Sequence, residues 1–164
     1  MTRNTILAVA VTAASAIALS GCLDTTDPLG PVQQCTLNPA AEPSVAGDTL
    51  TLEPGLRYIQ RTAGQGPTAK TGSTLDVCYV GRFTNGEAFD ANILPSGGLP
   101  PVTIGRGDYL PGFERGFVDM GVGGVRRLII SPALAYGDRE VRGGNVVIPP
   151  NSTLVFDVQV LRIR

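Results

Sequence analysis

The sequence predicts an α+β domain of short strands and one short helix, and three observations predict it. Its 164 residues include 21 glycines and 13 prolines, a composition that favours turns and short strands over long helices. Several stretches alternate apolar and polar residues at period two, the pattern of half-buried strands. One stretch, PGFERGFVDM at 111–120, has helical spacing instead: Phe113, Phe117 and Met120 share a face, and Pro111 stands where a first turn tolerates it.

The chain opens with a processing signal rather than with the fold. Arg3 supplies a positive start, residues 6–19 form a small-residue apolar run, and LSGC at 19–22 closes it. This resembles the lipobox of bacterial lipoproteins. The resemblance implies a signal peptide over 1–21, cleavage before Cys22 and lipid on the Cys22 thiol. It also implies a membrane partner and a place in the bacterial cell envelope, at the outer membrane or periplasmic face rather than in the cytoplasm. An ordinary secretory signal with an incidental cysteine, or an uncleaved anchor, are the alternatives. Residues 22–47 are rich in Pro, Ala, Thr and Asp without periodicity and read as a flexible tether, which leaves 48–164 as the ordered domain.

Within that domain TLTLE and GLRYIQR alternate as strands, and TAGQGPTAKTG reads as a turn-rich loop. STLDVCYVGRF follows as a strand, with Leu75, Val77 and Tyr79 on one face and Cys78 and Val80 on the other. Asn85-Gly86 is a strong hairpin turn, PVTIG a short strand, and VRRLIIS a further strand after the helix. Pro149 and Pro150 lack the N–H that a ladder needs, so residues 145–151 read as a stiff loop that delivers Ile148 to a rim. Leu154, Phe156, Val158 and Val160 then alternate with Val155, Asp157 and Gln159 as the last strand. With Cys22 lipidated, Cys35 and Cys78 are the remaining pair and a candidate disulfide, since alternation turns Cys78 away from the Tyr79 side, where the tether can reach it.

Composition narrows function by exclusion. Thirteen basic against 14 acidic residues give no field that would gather nucleic acid, so no nucleic-acid partner is expected. The absence of histidine removes Ser-His-Asp and Cys-His nucleophilic systems and His-based metal sites, and neither a metal nor a cofactor is expected. Arg106-Gly107-Asp108 spells an adhesion tripeptide too short to carry weight. GRGDYLPG and GVGG lack the context and the lysine of phosphate loops. Arg126, Arg127, Arg139 and Arg142 cluster in sequence but read as a solvated face rather than an anion site.

Four pieces taken in order carry a resemblance: VCYVGRFTNGEAFD, IGRGDYLPGFERG, ISPALAYG and IPPNSTLVFDVQVLRI. Together they resemble the FKBP-type peptidyl-prolyl cis-trans isomerases over the whole of 48–164. The resemblance implies an antiparallel five- to six-stranded sheet wrapped around one short helix, with an apolar pocket between them. Phe113 is implied as the pocket floor, and Tyr79, Phe89, Tyr109, Ile148 and Phe156 as its walls. Asp90 is implied to polarise the substrate amide, and Tyr136 and the backbone N–H of Leu110 to bind substrate carbonyls. The alternatives are a solvated hairpin carboxylate for Asp90 and a buried tyrosine bonded to its own chain for Tyr136. Proline-containing polypeptides are the implied substrates and macrolides the implied ligands.

The sequence departs from the family pattern in three places. Phe113 stands where tryptophan is usual, LPSGGLPPV replaces a usual phenylalanine near Pro100, and GDREVRGGNVV before Ile148 is longer than the common loop. All three bear on substrate preference and macrolide affinity.

The physics of such a site is simple to state. An X-Pro bond turns over a barrier of about 18–20 kcal/mol, because amide resonance must be broken, and unaided it takes tens to hundreds of seconds. No bond to another atom forms, so no nucleophile is needed. A dry pocket for the proline ring and a few donors that favour the twisted amide suffice, and about 5 kcal/mol off the barrier gives a few thousandfold. The reading is an isomerase acting on exported or envelope proteins; the alternatives are a catalytically weak proline-binding or chaperone lipoprotein of the same fold, and an envelope lipoprotein whose tether matters more than its domain.

Overall fold

The computed structural model describes residues 33–40, 48–94, 100–143 and 146–164; the expected signal peptide, Cys22 and much of the expected tether lie outside the described residues. Eleven strands follow in chain order: β1 (Thr49–Glu53), β2 (Leu56–Thr62), β3 (Gln65–Thr68), β4 (Thr74–Arg82), β5 (Ala88–Asn92), β6 (Val102–Thr103), β7 (Gly121–Val122), β8 (Val125–Ile130), β9 (Val141–Gly143), β10 (Val146–Ile148) and β11 (Leu154–Ile163). Between β6 and β7 lies the helix α1 (Pro111–Arg115), and a single 3-10 turn, Pro132–Leu134, follows β8. The main antiparallel sheet runs β1-β2-β8-β11-β4-β5, with the two-residue β6 added on β4. The α+β architecture, a sheet around one short helix, is the expected one.

Alternation places the core. β11 is central and pairs with β4 on one side and β8 on the other, so Leu154, Phe156, Val158 and Val160 meet the helix side. Leu75, Val77 and Tyr79 of β4 join them there, while Cys78 and Val80 are buried on the opposite face. Phe117, Met120, Leu128 and Ile130 fill the space beneath α1. Phe117 is fully buried, and burial of a side chain of that size contributes about 1.5–3 kcal/mol.

Four local readings are corrected. Arg126 and Arg127, read as part of a solvated face, are buried, because each side chain is held by carbonyls or a carboxylate inside the fold. The helix ends at Arg115 rather than at 120. Beyond it the chain closes i to i+3 turns (Phe117 to Glu114, Met120 to Phe117), Asp119 takes a left-handed φ of 63°, and Arg126 Nη1 donates to the carbonyls of Gly116 and Val118 at 2.9 and 2.8 Å. Those captured carbonyls cannot propagate a helix. Residues 145–151 are not all loop, because Val146–Ile148 pairs with Val141–Gly143 as a hairpin. Nor is TAGQGPTAKTG all loop: Gln65–Thr68 pairs with Gly121–Val122.

Residues 33–40, assigned to the tether in the sequence, lie on the outer face of β4 and β11. Gln33 N–H donates to Leu161 O at 3.0 Å, Thr36 N–H to Gln159 Oε1 at 2.8 Å, and Gln159 Nε2 to Gln34 O at 3.2 Å. A disulfide joins Cys35 to Cys78 across 43 positions of sequence. A closed loop of that length stabilises by about 4 kcal/mol in the chain-entropy account. Next to it Arg127 holds Asp157 by two bonds (2.8 and 2.9 Å), and Arg82 reaches both Asp157 and the carbonyl of Pro39.

The helix approaches the sheet through two glycines four residues apart. A Cβ on Gly112 would lie 2.4 Å from Ile130 Cγ2, and one on Gly116 2.2 Å from Leu128 Cδ1. We expect Gly116→Ala to lower stability by about 1–3 kcal/mol through overpacking, read as a lower urea midpoint at unchanged slope. An unchanged midpoint would show that the helix can lift off at no cost.

Candidate functional site

The site grows from a gap in β4. Gly81 stands opposite Phe156 of β11 and Asp90 of β5, and a Cβ there would lie 2.8 Å from the Phe89 ring and 3.0 Å from the Phe156 ring. The missing side chain is what lets both rings lie against the sheet. Phe89 meets Phe156 edge-on at 5.6 Å, and Phe156 meets Phe113 at 5.2 Å. Phe113 is the hub: Tyr79, Tyr109, Phe117 and Phe156 all lie within 6.0 Å of it, ring centre to ring centre. Offset and edge-on pairs of this kind add about 0.5–1.5 kcal/mol each beyond their buried area.

Against Phe89 lies a cavity of about 280 Å3 lined by Phe89, Asp90, Tyr136, Val141, Gly143, Val146 and Ile148. Four residues singled out in the sequence therefore share one wall: Phe89, Asp90, Tyr136 and Ile148. Tyr79 reaches it through its hydroxyl, which donates to Asp90 Oδ2 at 2.7 Å. Phe113, expected as the floor, and Phe156, expected in a wall, are not among the lining residues and are almost wholly buried, 4% and 5% exposed; Phe156 meets the lining through Phe89. Tyr109 and Leu110 are not among its lining residues; the Tyr109 hydroxyl donates to Pro100 O at 2.9 Å. The sequence reading missed Val141, Gly143 and Val146. Period-two alternation in VRG and VVI, which turns Arg142 and Val147 outward, was the signal that could have found them.

Electrostatics keep the site's hydroxyls neutral. Burial above all, then the hydrogen bond to Asp90 and its charge, raise the Tyr79 pKa well above the ordinary tyrosine value. Burial, then the Asp90 charge, raise that of Tyr136. Tyr109 is raised by burial and by Asp108 and Glu114. The site thus holds an exposed carboxylate and a half-buried hydroxyl beside Phe89, Val141, Val146 and Ile148. Among the described residues no group of His, Cys, Asp or Glu gathers in a way that could hold a metal ion.

Sheet, helix and cavity together define a class of protein, and comparison with known proteins agrees. The family model described as FKBP-type peptidyl-prolyl cis-trans isomerase matches residues 66–161, more than half of the chain. The chain belongs to the FKBP-type peptidyl-prolyl cis-trans isomerase family. It is 43% identical over 125 residues to FK506-binding protein 3 of Yarrowia lipolytica, covering 76% of this chain and 29% of that protein. It is 44% identical over 110 residues to FK506-binding protein 4 of Chaetomium thermophilum, covering 67% and 22%. The chain thus spans less than a third of the length of these curated relatives. Among solved structures it resembles AtFKBP13, with 34% identity, a TM-score of 0.60 and coverage of 70% of this chain and 97% of that one. It also resembles FkpA from Escherichia coli, with 36% identity, a TM-score of 0.58 and coverage of 71% and 51%.

One expectation is overturned. The apolar start and LSGC pointed to a bacterial envelope lipoprotein, whereas the curated relatives named above are fungal FK506-binding proteins and not lipoproteins of that kind.

The raised tyrosine values carry a pH dependence. A tyrosine whose pKa is higher in the folded chain than in the unfolded one gives stability that is full below about 10 and is lost as pH rises through the folded value. The urea midpoint should therefore hold from neutral pH to about 9.5 and fall above about 10, less steeply in Tyr79→Phe. A parent and a variant that fall in parallel would remove Tyr79 from this account.

Proposed function

We propose that this domain accelerates rotation about X-Pro bonds in polypeptide substrates. The observation that carries the reading is that Asp90 and Tyr136 line one cavity together with Phe89, Val141, Val146 and Ile148, in a chain of this family. The proline ring sits against Phe89, Ile148 and the ring floor. The Tyr136 hydroxyl donates to the carbonyl of the turning amide, the Leu110 N–H to the carbonyl that the proline itself carries, and Asp90, held by Tyr79, sits at the polarised amide. Planar amide is the more charge-separated form, so leaving water costs it more than it costs the twisted form. Acceleration then needs no covalent step. Macrolides fit the same cavity as ligands in this reading, with Phe113 enclosed by four rings.

The Cys35–Cys78 disulfide supports maturation in an oxidising compartment and substrates that fold there. Acylation of Cys22 rests on LSGC alone and carries no location with it. Cys22→Ser should abolish incorporation of a labelled fatty acid; label that persists would place the lipid elsewhere or discard it.

A protease-coupled assay on a short X-Pro peptide tests the main reading. Asp90→Ala and Tyr136→Phe should each keep the fold and lower kcat/KM about tenfold or more, roughly 1.4 kcal/mol of transition-state stabilisation. Turnover equal to the parent in both variants would dismiss Asp90 and Tyr136 as the working pair. A parent that binds proline peptides without turning them over would make the domain a binding module.

A further inference from the structure

The helix carries a carboxylate that the chemistry above does not use. Glu114 is only 2% exposed, a costly place for an acid unless donors surround it. They do: Gly105 N–H and Gly107 N–H donate to Oε2 at 2.9 and 3.1 Å, and Tyr109 N–H donates to Oε1 at 3.0 Å. These are alternate amides of one loop, and the two glycines hold it in left-handed backbone, φ 88° and 81°. Bonds from backbone N–H to a carboxylate are charge-assisted and about twice as strong as neutral ones, so one side chain fixes the path of the loop into α1.

Leu110 is pinned from both sides by this arrangement. The residue before it is held through the Tyr109 N–H, and its own carbonyl accepts from Phe113 N–H at 2.9 Å and Glu114 N–H at 3.0 Å. Its own N–H meets no acceptor among the described residues. A donor between two fixed neighbours and without a partner is preorganised for a ligand carbonyl.

We infer that Glu114 is a positioning residue for isomerisation: its carboxylate gathers the Gly105, Gly107 and Tyr109 amides so that the Leu110 N–H is held ready for the carbonyl of the substrate proline. The inference rests on the isomerase reading above. Glu114 touches no substrate; it acts through the loop, and Glu114→Gln keeps its shape while turning an acceptor into a donor that faces N–H groups.

The test compares two substrates of the full chain: a short X-Pro peptide, and its prolinol analogue, in which the proline carbonyl is replaced by CH2OH, with rotation of both followed by NMR exchange. Glu114→Gln should lose about tenfold in kcat/KM on the peptide, chiefly through KM, and less than about twofold on the analogue, which has no carbonyl for Leu110 to bind. An equal loss on both substrates, with the parent active, overturns the positioning role and leaves Glu114 a scaffold residue. No turnover by the parent overturns the isomerase reading instead, so the two failures are distinct. Should Glu114→Gln not fold, amide hydrogen exchange on the parent decides: Tyr109 should be protected without ligand, and Leu110 only when the X-Pro peptide is bound. Leu110 exchange that saturating peptide leaves unchanged overturns the proposal.

Discussion

The close approach of α1 to the sheet is the constraint on which the rest of the site depends. Gly112 and Gly116 put bare backbone against Ile130 and Leu128, and any side chain at either place would push the helix outward. At that depth Phe113 lies among Tyr79, Phe117 and Phe156 in one cluster of rings. A helix of five residues has little intrinsic stability, since nucleation is costly and few bonds follow it. It persists because its termini are held from outside. Arg126 takes the carbonyls of Gly116 and Val118 at one end, and at the other Glu114 folds back onto the loop that leads in. Arg126 is itself buried against the Tyr58 ring, 4.3 Å from its centre, which lowers its pKa by desolvation yet leaves it a cation with every reason to keep those carbonyls.

The two faces of β4 and β11 do different work. One face bears the rings of the site. The other bears residues 33–40, bonded to the Gln159 side chain and to Leu161 O and linked to Cys78 by the disulfide. Asp157 lies there between Arg127 and Arg82, both 5% exposed, with carbonyls of Pro39 and Gly86 meeting the further N–H groups of Arg82. Buried ion pairs seldom add much net stability, because desolvation consumes the Coulomb gain, but they accept only one register. Asp157 stands opposite Arg127 of β8, and Arg82 of β4 reaches the same carboxylate across the other ladder, the one that sets Phe156 opposite Gly81. The outer face thus specifies the alignment on which the inner one depends.

What could be read in the sequence follows the range of each signal. Alternation in STLDVCYVGRF and LVFDVQV is a local property of a strand, and it gave the faces of Tyr79, Cys78 and Phe156 correctly. Helical spacing in PGFERGFVDM gave the buried face but not the end of the helix. That end is set by Arg126, distant in sequence, and by the backbone of Asp119. Two prolines masked the hairpin of Val141–Gly143 with Val146–Ile148, because they stop the strand immediately after it rather than inside it. Residues 33–40 have no periodicity to read, being held by backbone bonds, one glutamine and one disulfide. Asp90 and Tyr136 could be placed in a common site only by resemblance; nothing local in AFD or AYG says that they face one cavity. Glu114 looked like any polar residue of a short helix, since its role exists only once the loop before it has turned back.

Burial does two things at once in this cavity. By removing water from around Tyr79 and Tyr136 it raises their pKa values, so that both hydroxyls stay protonated and able to donate. In the proposed reaction, lowering the local dielectric would strengthen the hydrogen bond that the Tyr136 hydroxyl makes and strip solvation from the planar amide of a bound X-Pro bond. The exposed Asp90 works against total dryness: its charge is tolerable because one side faces water while the other accepts the Tyr79 hydroxyl. A site buried on one side and open to water at Asp90 would, in the proposed reaction, take up a proline ring while the flanking chain remains solvated. That gradient suits a reaction whose entire chemistry is a rotation.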